Sequence, residues 1–382
     1  ANANGSGNLT WTVKDSGGTA YGGVDTLTQS LAITVNAIND APVASGTSSL
    51  AEVIENNANP TGSTVNTLFS DAADSVSGGS IANTLLGVAI TANAANSSEG
   101  IWQWQASGSS SWIDIPSTGL ADATALFLAS SSKLRFLPAT NYSGNPGALT
   151  VRLVDSSTSL ANSTSIDVAT NGGITAFSSN TVVLSTSVRA VNDQPVQTGT
   201  PPTPISVLED ANNTSAVSLG MGGLAYGPGG GVDELTQTLT YTLTAIPAFI
   251  SVFKADGTTA VTANTTLTLT ELQGLKYKTI ANANGSGSLT WTVKDSGGTA
   301  NSGDVDTLNQ SLAITVTAVN DQPVQTGTAP NPISVNEDSA NTSAVTLGLS
   351  GLAYGKGGST DENSQTLTYT LTAIPAFISV FK

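Results

Sequence analysis

A chain of 382 residues with no Cys and no His can hold neither a disulfide nor a Cys/His zinc site, and it has no Cys nucleophile or His-based triad. Its 27 acidic residues outnumber 11 basic ones for a net charge of −16, which argues against nucleic acid, because no basic patch is present to displace counterions from a phosphate backbone. With 39% hydrophobic and only 10% charged residues, the composition suits a chain that builds cores rather than a disordered one, and no apolar run approaches the roughly 18 residues of a membrane helix.

From the N-terminus, the predicted elements are short strands of period-2 alternation. Residues 9–14 (LTWTVK) and 30–35 (SLAITV) come first. Residues 100–116 (GIWQWQASGSSSWIDIP) read as two strands around a Ser/Gly turn. Residues 134–144 (LRFLPATNYSG) lead into 149–155 (LTVRLVD), and LKYK at 275–278 precedes LTWTVKD at 289–295 on the same plan. Residues 238–244 (TLTYTLT), 266–270 (TLTLT), 288–294 and 311–316 alternate likewise, and 269–275 (LTELQGL) predicts a single helical turn. Gly, Asn, Asp and Ser bound each segment, so the expected fold is all-β, built of β-sandwich domains.

The chain repeats itself. Residues 1–15 return at 281–295 with one difference, and 193–254 return at 321–382 with 13 differences over 62 positions, a shift of 128 residues. A period this long is a domain, so the sequence predicts a tandem array. The phrase AINDAPV at 37–43 and AVNDQPV at 190–196 and 318–324 marks the joints. Its Pro ends one strand and starts the next with almost no linker. The expected domains are 1–40 (the C-terminal part of a repeat), 41–193 (longer and divergent), 194–321 (complete) and 322–382 (the N-terminal part of another). The sequence is accordingly expected to be a piece of a longer array.

The acids gather at strand ends and joints. Calcium takes six to eight oxygens from carboxylates, Asn side chains and backbone carbonyls at about 2.3–2.6 Å, and such a set is expected at each joint. The first would use Asp15, Asn39, Asp40 and Glu55 with Asp71 or Asp74. The second would use Asp155, Asn192, Asp193, Glu209, Asp210, Asp233 and Glu234. The third would use Asp295, Asn320, Asp321, Glu337, Asp338, Asp361 and Glu362. Singly, each Asp or Asn suits a turn. Recurring at three joints, acids without a cation would repel each other where two domains touch.

The phrase Asn-Asp-x-Pro-Val, the Glu-Asp pair near the first strand and Val-x-Asp-Ser before the last strand resemble the cadherin-like tandem repeats of giant bacterial adhesins of the RTX type. The resemblance covers most of the chain. It implies immunoglobulin-like domains with calcium bound between consecutive copies. One departure stands out: the family usually has Asp two positions before its Asn-Asp pair, where this chain has Ala37, Ala190 and Ala318, which implies fewer ions per joint or a shifted geometry.

Residues 100–116 carry a separate reading. With Trp104 opposite Trp112, Trp102 would face Asp114, and the four would form a platform suited to stacking on a sugar ring. The alternative is that these rings fill the core, the usual place of Trp in a sandwich, and similar bacterial repeats carry a Gly-x-Trp…Trp-x-x-Ile hairpin as part of their fold. The function expected from these readings is a non-enzymatic spacer of a secreted bacterial surface adhesin, stiffened by Ca2+, with neighbouring repeats, surface glycans or other cells as partners. The alternatives are a carbohydrate- or peptide-binding module in 41–193 and a subunit of a self-assembled extracellular filament. A carboxylate-paired glycosidase would need acids around one cleft, whereas these recur at joints.

Overall fold

Alternating Thr and aliphatic residues form most of the long strands, although the same alternation at 366–372 does not: strand exceeds helix by 36% to 6%, and the chain is all-β. The computed structural model describes residues 3–70, 83–299, 304–338, 342–358 and 360–382. It divides into two units, Ala1–Val191 with Gly230–Leu235, and Asn192–Gly229 with Thr236–Lys382. Among the described residues no helix is long and apolar enough to cross a membrane.

The first unit opens with β1 (Gly5–Lys14) and β2 (Thr26–Val35), an antiparallel pair running from Lys14 opposite Thr26 at the turn to Gly5 opposite Val35 at the far end. Both strands are exposed along their whole length. There follow β3 (Thr47–Ser49), β4 (Val53–Ile54), β5 (Ser63–Thr64), the single turn α1 (Val65–Leu68), β6 (Leu85–Asn93), β7 (Gly100–Gln105) and β8 (Ile113–Asp114). Next come β9 (Ala125–Ala129), β10 (Lys133–Pro138), β11 (Leu149–Asp155), β12 (Thr164–Ile166), β13 (Val182–Ser185) and β14 (Val188–Arg189). They form one sheet in the order β5-β10-β7-β8 and another in the order β12-β9-β6-β11-β13-β3, with β4 and β14 paired alone. Trp102, Trp104 and Phe136 from the first sheet meet Val88, Ile90, Leu149, Val151, Leu153 and Leu184 from the second in one core.

In the second unit β15 (Val196–Gln197), β16 (Ile205–Leu208), β17 (Val217–Ser218), β18 (Tyr226–Gly227), β19 (Thr240–Ala245), β20 (Ile250–Phe253), β21 (Ala260–Val261) and β22 (Thr265–Leu267) precede the helical turn α2 (Leu269–Gln273). The strand expected over 266–270 stops at Leu267 because Thr268 becomes the helix cap: its hydroxyl accepts the Glu271 N–H while the Glu271 carboxylate accepts the Thr268 N–H. Then come β23 (Lys276–Thr279), β24 (Gly285–Lys294), β25 (Thr307–Thr317), β26 (Val324–Gln325) and β27 (Tyr354–Gly355). Sheets β16-β25-β24-β19-β22 and β17-β23-β20-β21 enclose a core that includes Tyr241, Leu243, Leu289, Trp291, Val293 and Leu312 from the first and Ile250, Val252 and Tyr277 from the second.

Two pairings decide where the acids go. The first strands run parallel to the last ones, β3 beside β13, β4 beside β14 and β16 beside β25, so a residue ending a first strand lies where the chain leaves that fold. The last two strands form a hairpin, with Lys294 opposite Thr307 at its turn and Gly285 opposite Val316 at its open end. At about 3.4 Å per residue the ten-residue β24 separates those ends by roughly 30 Å.

Candidate metal centre

Asp295 follows β24 at the turn end of the hairpin, and there it meets Asn192. The Asn192 side-chain amide donates to Asp295 Oδ1 at 3.0 Å and to the Val305 carbonyl at 2.8 Å. Gln237 Nε2 donates to Asn192 Oδ1 at 2.7 Å, and the Asn192 N–H donates to Asp304 Oδ1 at 3.0 Å. Gly297 lies against this knot: a Cβ there would sit 1.5 Å from Asn192 Oδ1. Asp295 Oδ2 is enclosed without a hydrogen-bond partner among the described residues. The first unit repeats the arrangement, with Asn39 Nδ2 donating to Asp155 Oδ2 at 3.2 Å and to the Thr175 carbonyl at 3.0 Å.

These bonds correct the expected grouping. The sequence leads one to expect Asp295 beside Asn320 and Asp321, and Asp155 beside Asn192. Each instead holds the Asn that precedes its own fold, because the turn of the last hairpin points back to the chain's entry. The register of β1 and β2 puts Asp15 at the turn end as well, roughly 30 Å from the open end that leads to Asn39 and Asp40. Asp15 accepts the Gly17 N–H at 2.7 Å.

The Glu-Asp pairs move the opposite way. Glu209 is buried at the end of β16, its Oε1 accepting the Val319 N–H at 2.7 Å and its Oε2 accepting Asn284 Nδ2 at 3.2 Å. Asp210, held at φ 61°, accepts the Asn282 N–H at 3.1 Å. Both therefore belong with Asp321 and not with Asp193. By the same rule Glu55, expected near Asp40, sits where its fold ends: it is buried, and its N–H donates to the Arg189 carbonyl at 3.0 Å. Glu337 and Asp338, expected at the third joint, are exposed at positions equivalent to Glu209 and Asp210. Asp233 and Glu234 lie in the segment that belongs to the first unit, Glu234 buried and Asp233 half-buried, whereas Asn192 and Asp193 belong to the second. Asp71 and Asp74 lie outside the described residues.

The densest group surrounds Asp321. Its N–H donates to Glu362 Oε1 at 3.1 Å, and Glu362 is 1% exposed. Asp321 Oδ2 and Glu362 Oε2 are both enclosed and without a hydrogen-bond partner among the described residues. Gly358, at φ 44°, covers them; a Cβ there would meet Asp321 Oδ2 at 2.6 Å and the Glu362 Cγ at 2.7 Å. Burial, together with repulsion from Asp210, Glu209 and Asp361, raises the Asp321 carboxyl above its ordinary pKa. Asn320 closes the rim, its Oδ1 accepting from Gln365 Nε2 at 2.7 Å. Among the described residues no three acids converge as an assembled metal cage. The enclosed, unpartnered oxygens of Asp321 and Glu362 are nonetheless of the donor type that a hard cation takes.

No family model and no curated protein matches the chain. Among solved structures, it is similar to an endo-fucoidan hydrolase from glycoside hydrolase family 107 over 82% of this chain and 34% of that one, at 14% identity and a TM-score of 0.21. It is also similar to the native conformation of E. coli alpha-2-macroglobulin over 57% of this chain and 11% of that one, at 15% identity and a TM-score of 0.19. The chain thus spans about a third and about a tenth of their lengths, and likenesses of this size carry no argument about function.

Sequence reasoning missed Gln237 and Gln365, which brace Asn192 and Asn320, and Asn282 and Asn284, which brace Asp210 and Glu209. A signal existed for both: the Gln pair falls at equivalent positions of the repeat, and ANAN at 281–284 also stands at 1–4. Of the two readings of residues 100–116, Trp102 and Trp104 follow the core one, and the alternative platform does not form. Trp104 pairs with Ile113 and Gln103 with Asp114, which puts Asp114 on the Gln103 face, where Gln103 Nε2 donates to it at 2.7 Å. Trp102 and Trp104 are buried, and Trp102 packs edge-on against Phe136 at 5.3 Å. Trp112 is half-buried under the Arg135 guanidinium, 4.1 Å from its ring centre.

Proposed function

We propose that this chain is a structural spacer of a secreted bacterial surface adhesin: tandem immunoglobulin- or cadherin-like β-sandwiches, non-enzymatic, with calcium stiffening the joints between repeats. The observation that carries this reading is the pair of enclosed, unpartnered oxygens on Asp321 and Glu362 where one repeat ends and the next begins, with Glu209, Asp210 and Asp361 near enough for their charge to raise the Asp321 carboxyl. Carboxylates gathered there without a counter-ion destabilise the joint, and a divalent ion removes that repulsion and ties the ends of two folds together. Asp321 and Glu362 would hold the ion, with the charge of Glu209, Asp210 and Asp361 favouring it from further out. Extracellular modules of this kind bind calcium at about 10⁻⁴–10⁻³ M, which suits a location outside the cell.

Calorimetric titration of chelator-stripped chain with calcium tests the site. Binding in the range given above should be lost at this joint in Asp321→Asn/Glu362→Gln. Unchanged heats in that double variant would remove the site. Small-angle scattering tests the stiffening separately: a maximum dimension that is the same with calcium and with chelator would leave the ion without a mechanical role. A glycan-binding module in 41–193 has little support, since its two best platform rings lie in the core.

A further inference from the structure

The chain has three arginines, and two of them are paired with acids. Arg152 holds Asp122 at 2.8 Å, and Arg189 holds Glu52 at 3.4 Å. Arg135 is 6% exposed, and among the described residues no carboxylate stands within ion-pair distance of it. A guanidinium taken out of water without a counter-charge is costly. Burial pulls the Arg135 pKa below its ordinary value, yet an arginine keeps its proton and the charge remains.

Neutral groups position this charge. Arg135 lies opposite Gln103 in the β10–β7 pair, and its Nε donates to Gln103 Oε1 at 2.8 Å. Its Nη1 donates to Asn59 Oδ1 at 2.7 Å and to the Pro60 carbonyl at 3.1 Å. One face of the guanidinium lies on the Trp112 ring. Gly62, at φ 67°, lets the loop pass so close that a Cβ there would stand 3.0 Å from both the Arg135 Cβ and the Trp112 ring. Nε, Nη1 and one face are thus occupied, while Nη2 has no acceptor among the described residues.

Arg135 lines a cavity of about 190 Å³ that lies wholly within the first unit. Ile54, Pro60, Thr61 and Ser63 line it too, so hydroxyls and apolar groups share its wall. Glu52 borders the same cavity, but it is more than half exposed and its Oε1 is engaged by Arg189. The β4 backbone offers a second donor. Val53 and Glu55 donate to the Ser187 and Arg189 carbonyls at 2.9 and 3.0 Å, and alternation along the strand sends the intervening Ile54 N–H to the other edge. A cavity of about 150 Å³ holds a benzene ring, so this one admits a single six-membered ring bearing a carboxylate.

We propose that this cavity binds a small carboxylate, one ring in size, which accepts a hydrogen bond from Arg135 Nη2. The ring is that of an aromatic acid, suited to the apolar wall, or of a sugar acid, suited to the hydroxyls. Both present the same group to the guanidinium. The site needs no cation and stands independently of the calcium reading.

The test uses the full chain labelled with ¹⁵N-arginine, whose spectrum holds three Nε–H signals, assigned with Arg152→Lys and Arg189→Lys. Benzoate and glucuronate are titrated separately, with benzamide and glucose as their uncharged counterparts. At least one acid should move the Arg135 signal saturably in the millimolar range and leave the other two signals in place. Its uncharged counterpart should bind about tenfold more weakly or worse, and which acid binds identifies the ring. Arg135→Gln should weaken binding by about tenfold or more, read as loss of the ligand-induced rise in melting temperature of the first unit. The arginine signals of the unaltered chain decide the matter even where that variant fails to fold. Neither acid moving the Arg135 signal, counterparts that bind as well as the acids, or chloride giving the same shift at the same concentration would each overturn the proposal.

Discussion

Replacing Trp291 and Trp11 by Ala compares one residue in one local sequence under two degrees of burial. Trp291 is 1% exposed, packs opposite Leu243 and donates to Tyr226, whose own hydroxyl is pushed to a higher pKa by burial. Truncating a core Trp costs about 3–5 kcal/mol, and the stranded Tyr226 hydroxyl adds about 1 kcal/mol. With a urea slope of about 2 kcal/mol/M, the unfolding midpoint of the second unit should fall by roughly 2–3 M in Trp291→Ala. Trp11 is 43% exposed, and its truncation should change stability by no more than about 0.5 kcal/mol. Urea titration followed by far-ultraviolet circular dichroism measures both. Trp291→Phe refills most of the volume and isolates the lost hydrogen bond at about 1 kcal/mol. Equal shifts for the two Ala variants, or a loss below about 1 kcal/mol for Trp291→Ala, would refute the claim that covering strands and not local sequence determine the energy of this hairpin.

Gly297→Ala forces a Cβ into Asn192 Oδ1 and should lower the stability of the second unit by about 1–3 kcal/mol, read as a fall in melting temperature. Thr268→Ala removes the cap of α2 and should cost about 1 kcal/mol. Glu271 is held down to about 2 by Lys254 and by the Thr268 N–H and hydroxyl. Its contribution is present above its ordinary value and lost as pH falls toward 2, so the melting difference between wild type and Glu271→Gln should narrow over that interval. In calcium-free buffer Glu362→Gln, which removes a buried charge beside Asp321, should raise the melting temperature of the second unit, and the stabilisation by added calcium should shrink. A variant less stable than wild type without calcium would contradict the repulsion assigned to this joint.

Much of the architecture is legible in the sequence, because period-2 alternation and turn residues are local properties. Strand at 9–14, 30–35, 288–294 and 311–316, a strand read at 238–244 that lies at Thr240–Ala245, the helical turn after Thr268 and the repeat of 128 residues are all visible there. So is the clustering of acids at strand ends. What only the tertiary structure decided is which end each acid occupies and what each strand faces. Glu209 stands beside Asp321 because β16 runs parallel to β25, and Asp295 holds Asn192 because a hairpin turns back toward the chain's entry; a strand's direction leaves no mark on its own residues. The alternative platform of Trp102, Trp104, Trp112 and Asp114 fails for a related reason, since a register shifted by one residue sends Asp114 to the opposite face. The nearly identical hairpins β1–β2 and β24–β25 show the limit most plainly: sequence determines their pairing and register, but their burial depends on whether other strands lie against them.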